Sequence, residues 1–77
     1  MSINAFIAQY RVQLENAVRM NPSDYAYGVD KVPEVVTKME NALRAGNYSK
    51  DGKAFKATCR ALGVSNTYKA INAFLGK

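Results

Sequence analysis

Apolar residues recur at helical spacing along this chain, and nowhere at the spacing of two that marks a strand. Near the start, Ile3, Phe6, Ile7, Tyr10, Leu14, Ala17 and Val18 fall at i, +3, +4, +7, +11, +14 and +15. That spacing places all seven on one stripe of an α-helix, a face that must be covered by another element. Ser2 stands where an N-cap belongs, and Asn21-Pro22-Ser23-Asp24 supplies turn chemistry that stops the helix. A sheet is thereby excluded, and the expected class is all-α.

The same period continues. Residues 21–31 read as a connector, with a short helical turn over 24–27 ended by Gly28, and with Tyr25 and Tyr27 folding back on the core. A second helix begins near Pro33, whose fixed φ suits a first turn. Its buried stripe is Val32, Val35, Val36, Met39 and Leu43, and Gly46-Asn47 ends it. Glu34 with Lys38 and Glu40 with Arg44 are i, i+4 pairs on its solvated face. Ser49 caps a third helix with Phe55, Cys59 and Leu62 inward and Gly63 at its end. Ser65 caps a fourth, with Tyr68, Ile71 and Leu75 inward and Gly76 closing it. The expected architecture is a compact bundle of about four short helices in one domain, residues 1–77.

Composition narrows the chemistry. Seventy-seven residues make one domain with a modest core, and 48% hydrophobic against 22% charged residues argues for packing over disorder. There is no histidine, which removes a His general base and His-ligated metals, and one cysteine cannot form an internal disulfide. No phosphate-binding glycine loop, metal-ligand cluster or paired-carboxylate motif is present, so neither an enzyme nor a bound cofactor is expected. Cys59 falls on an apolar face, where a thiol is ordinary core filler. No apolar run reaches transmembrane length, and the N-terminal stretch lacks the basic region and long apolar region of a signal peptide. The expectation is a cytoplasmic protein without a membrane partner.

The net charge of +5 is unevenly placed. In residues 1–49, Arg11, Arg19, Lys31, Lys38 and Arg44 balance Glu15, Asp24, Asp30, Glu34 and Glu40. In residues 50–77, Lys50, Lys53, Lys56, Arg60, Lys69 and Lys77 face Asp51 alone. The chain is a neutral scaffold half followed by a basic helical hairpin, and a confined positive field suits an anionic partner such as nucleic acid.

Within that hairpin, a helix, a glycine turn, a hydroxyl cap and a second helix follow one another. The string Leu62-Gly63-Val64-Ser65 resembles the turn of many bacterial helix-turn-helix proteins, including the Fis-like type. Thr58 and Lys69 depart from that pattern, which has apolar residues in both places. On the third helix, Lys53, Lys56 and Arg60 share a stripe suited to phosphates. On the fourth, Asn66, Thr67 and Lys69 face outward beside Ala70, Ala73 and Lys77, a combination that suits the major groove of DNA. An ordinary solvated face would carry the same cations and alanines.

Residues 48–75 (YSKDGKAFKATCRALGVSNTYKAINAFL) also resemble the small, mostly uncharacterised helical proteins of tailed bacteriophages and prophages. The resemblance implies an accessory protein, acting in the cytoplasm of a bacterial host, that binds DNA or binds and inhibits a host protein. Three readings follow in order. The first is nucleic-acid binding through Lys53, Lys56 and Arg60 on phosphates and Asn66, Thr67 and Lys69 at bases. The second is a protein-interaction module, to which aromatic side chains near helix ends such as Tyr25, Tyr27 and Tyr48 would contribute. The third is a homodimer that enlarges a small core.

Overall fold

The computed structural model describes residues 3–50 and 52–76; Ser2, the expected cap of the first helix, and Lys77 lie outside them. Four α-helices follow in order: α1 (Ile3–Met20), α2 (Val32–Ala45), α3 (Lys53–Ala61) and α4 (Tyr68–Phe74), and no strand occurs among the described residues. The all-α bundle is therefore the observed class. The longest helix, α1, is the spine: α2 and α3 both pack against it. Its stripe behaves as its spacing predicts, with Phe6, Tyr10, Leu14 and Val18 buried at every fourth residue.

The core joins these four to Val32, Val36 and Leu43 of α2, Ala54, Phe55 and Cys59 of α3, Ile71 of α4, and Tyr48 from the α2–α3 connection. Phe55 is its aromatic hub. Its ring centroid lies 5.1 Å from that of Phe6, 5.7 Å from Tyr48 and 6.5 Å from Tyr10. Phe6 extends the cluster to α4 through Phe74 at 6.3 Å. Such tilted and edge-on pairs add stability beyond the area they bury.

Two helices stop as the glycines predict. Gly46 takes φ 74°, its N–H bonds the carbonyl of Leu43, and the Asn47 N–H reaches Ala42 O at 2.8 Å. Gly63 repeats the device at φ 72°, with Val64 N–H on Cys59 O at 2.8 Å. Both are paired closing bonds around a left-handed residue, a conformation that costs glycine nothing in side-chain sterics.

Several local expectations are corrected. No helical turn forms over 24–27. Instead, 3₁₀ turns at Pro22–Asp24 and Val29–Lys31 flank an extended Tyr25. Proline at the first position starts the former, and the stretch between lets Tyr25 and Tyr27 lie half-buried against the core with their rings 5.7 Å apart. Glu34 pairs with Lys31 at 3.8 Å rather than with Lys38, whereas Arg44 and Glu40 pair at 3.5 Å as expected.

Ser49 does not cap α3. The helix starts at Lys53 behind Gly52 with no side-chain cap, and Tyr48 of the preceding connection is drawn into the core. Nor does Ser65 cap α4. Thr67 does, its Oγ1 accepting the Ala70 N–H at 3.1 Å. The connection from α3 to α4 thus spans residues 62–67, longer than the three to four residues of a helix-turn-helix turn. Delaying the start places Tyr68 at the first helical position, 48% exposed, while Ile71 is fully buried and Phe74 and Leu75 pack on the core. Leu62, expected inward, is half-buried. Thr58 does sit inside, where the turn pattern has an apolar residue; its hydroxyl is satisfied by donating to Ala54 O at 2.8 Å.

Candidate nucleic-acid interface

The interface is built on α3, whose inner face is locked. Ala54, Phe55, Thr58 and Cys59 are all buried, so the opposite stripe of Lys53, Lys56 and Arg60 is held outward by core packing. Burial pushes the Cys59 thiol up in pKa, only partly offset by a backbone hydrogen bond, so it stands as a neutral packing group.

The three cations are not equivalent. Lys56 and Arg60 line one concavity of about 330 Å³ together with Cys59, Val64 and Asn66. Neither forms an ion pair with any described residue. Lys53 belongs to a different concavity, about 320 Å³, between α1 and the start of α3, whose lining includes Ala17, Met20, Tyr25, Ala54 and Ala57. There its ammonium stands 3.7 Å from Asp24 Oδ2. Both side chains are exposed, so the pair adds little stability, but it counters the lysine's charge.

Of the residues expected at bases, Asn66 is half-buried and its Nδ2 donates to Lys50 O at 2.6 Å. Its Oδ1 is buried with no hydrogen-bond partner among the described residues. Thr67 is engaged as the α4 cap, and Lys69 is exposed on that helix. The fold therefore gathers Lys56, Arg60 and Asn66, turns Lys53 to another side, and commits the hydroxyl of Thr67 to the helix itself.

Two residues absent from the expected set adjoin this group. The Lys50 ammonium lies 4.7 Å from the centroid of the Tyr68 ring, a cation–π contact, while its carbonyl holds Asn66. Tyr68 meets the edge of Tyr48 at 5.4 Å. Tyr48 is buried, donates its hydroxyl to Asn72 Oδ1 at 3.0 Å and stacks on Phe55, so the Tyr68 ring rests on the core. Burial first, then the neighbouring Tyr68 and Cys59, push the Tyr48 phenol up in pKa. No local pattern in the sequence marks the cation–π pair, because Lys50 and Tyr68 lie eighteen positions apart and meet only in the packed fold.

No group of three His, Cys, Asp or Glu residues stands together among the described residues, and no helix there is long and apolar enough to cross a membrane. No protein-family model matches the chain, and neither a curated protein nor a solved structure matches it significantly.

Proposed function

We propose that this protein is a binding rather than a catalytic domain, and that it takes nucleic acid on the outward face of α3. The observation that carries this reading is the pairing of Lys56 and Arg60 along one concavity, neither of them in an ion pair with any described residue, on a helix whose other face is packed into the core. Solvent-facing cations on a helix fixed by its core contacts neutralise phosphates without first breaking internal ion pairs. Lys53, countered by Asp24, contributes less, and Lys69 adds charge from α4.

Anisotropy of labelled oligonucleotides across a salt series tests it. Lys56→Gln with Arg60→Gln lowers the salt slope by about two phosphate contacts' worth, roughly 1.8 in log–log units for duplex DNA, while Lys53→Gln changes it by less than half of that. Absence of any complex at about 50 mM salt refutes the reading. A second reading, a protein-interaction module such as a phage accessory factor acting on a host protein, is favoured by one observation. The concavity between α1 and α3 is walled by small alanines beside Met20, which is 78% exposed. Capture of a host protein that survives high salt and is lost in Met20→Lys would support that reading over the first.

A further inference from the structure

We propose that the nucleic acid held here is single-stranded, with an unpaired base stacking on Tyr68 while the adjoining phosphates lie along Lys56 and Arg60. The inference rests on the nucleic-acid reading and narrows it to one class of partner.

The equipment for reading a duplex is poorly available in this fold. Asn66 has its amide donor on Lys50 O, and the Thr67 hydroxyl caps α4. The would-be recognition helix is seven residues, about 10 Å long, and its Ile71 and Phe74 are drawn into the core. An α-helix that reads the major groove must instead project side-chain donors and acceptors to base edges.

What the surface offers is an aromatic face beside cations. Tyr68 is one of three large hydrophobic residues exposed among those described, and the only aromatic one. Its ring is positioned rather than loose, because Tyr48 braces it and is itself held by Phe55 and Asn72. Platform and groove are continuous through two contacts: Asn66 lines the groove with Lys56 and Arg60, and it bonds the carbonyl of Lys50, whose ammonium overlies the Tyr68 ring. A lysine stem is flexible enough to yield its place on the ring to a base and carry its ammonium to the flanking phosphate. Every base has a π-face, so a cationic groove next to an exposed ring is the ordinary apparatus for unpaired strands. In a duplex the bases are stacked on one another and cannot reach the ring.

The test compares a labelled oligo-dT of about 16 nucleotides with a duplex of the same length, using the whole chain at about 50 mM salt. The single strand is expected to bind more tightly. Tyr68→Leu, which keeps an apolar contact with Tyr48, weakens single-strand binding about 5- to 150-fold and leaves the salt slope unchanged, while Tyr68→Phe restores binding. Because the chain has no tryptophan, Tyr68→Trp introduces a single indole, excitable at wavelengths where the remaining tyrosines do not absorb, whose emission is quenched as oligo-dT saturates the protein, whatever the leucine variant does to folding. Equal or tighter duplex binding, parental affinity in Tyr68→Leu, or unchanged emission from Tyr68→Trp at saturation overturns the single-strand inference and leaves the nucleic-acid reading standing. Absence of binding to either probe overturns both.

Discussion

Phe55 is the place where a single substitution most directly tests how this fold is held together. It is 1% exposed on α3, and three rings surround it at 5.1, 5.7 and 6.5 Å, contributed by α1 and by the α2–α3 connection. Replacement by leucine keeps most of the buried apolar area but removes all three ring–ring interactions. At about 0.5–1.5 kcal/mol each beyond area, and with partial recovery by leucine's own contacts, the loss is about 1.5–3 kcal/mol. Alanine adds a cavity and raises the cost to about 3–5 kcal/mol. A chain of 77 residues has a total stability of about 4–12 kcal/mol, so the alanine variant approaches the unfolding threshold while the leucine variant remains measurable. For a domain of this size, the leucine change lowers Tm by about 6–20 °C. Thermal and urea denaturation followed by far-UV circular dichroism measure this, with Val12→Ala as the control, since Val12 is 51% exposed on α1. That control should stay within about 0.5 kcal/mol of the parent. If Phe55→Leu falls in the same band as Val12→Ala, the aromatic hub is not what couples α3 to α1, and the basis for a rigid cationic face fails with it.

Two further outcomes follow from particular contacts. Thr67→Ala should cost about 0.5–2 kcal/mol in urea unfolding, because it removes the oxygen that receives the Ala70 N–H, while Ser65→Ala stays within about 0.5 kcal/mol; the opposite ranking would return the cap of α4 to Ser65. The second outcome concerns alkaline pH. Tyr10 is pushed up to about 12 by burial, then by the neighbouring Tyr27 and Tyr25. A raised folded pKa means that the native state retains the proton longer, so this contribution is complete below pH 10 and is lost as pH rises through about 12. A rise from 10.0 to about 12 corresponds to about 2.7 kcal/mol, and burial pushes the Tyr27, Tyr48 and Cys59 groups up as well. Urea midpoints between about pH 9 and 12 should therefore fall steeply in the parent and less steeply in Tyr10→Phe. Equal slopes in the two proteins would show that the Tyr10 phenol ionises as freely folded as unfolded.

The helices were legible wherever a long stripe and a glycine stop coincide. Phe6, Tyr10, Leu14 and Val18 repeat at every fourth residue, and Gly46 and Gly63 each follow a helix and take positive φ. Neither depends on what lies across the core. The starts of α3 and α4 were harder to read, because several hydroxyl residues in each connection are acceptable caps. With Ser65 as the cap Tyr68 was expected inward beside Ile71; with Thr67 as the cap Ile71 is buried and Tyr68 stands 48% exposed, and that is a property of the packed core. The candidate interface divided along the same line. That Lys53, Lys56 and Arg60 share a stripe is helix arithmetic, but Asp24, in the α1–α2 connection, is what counters Lys53. Asn66 was expected on the outward face of the fourth helix, and it is Lys50, sixteen residues earlier, that occupies its amide.

By itself, then, the sequence determined an all-α chain, a long first helix, the ends of α2 and α3, and a positive charge concentrated in residues 50–77. Those features follow from spacing and from single-residue backbone preferences, which act over a few neighbouring positions. Only the tertiary structure decided that Tyr48 enters the core while Tyr68 stays at the rim, and that Lys56 and Arg60 share a concavity with Asn66 while Lys53 is turned to another. Those outcomes depend on which side chain fills the limited volume beneath Phe55 and on pairings between residues distant in sequence. Local pattern cannot encode them, because each is settled by competition for the same buried space.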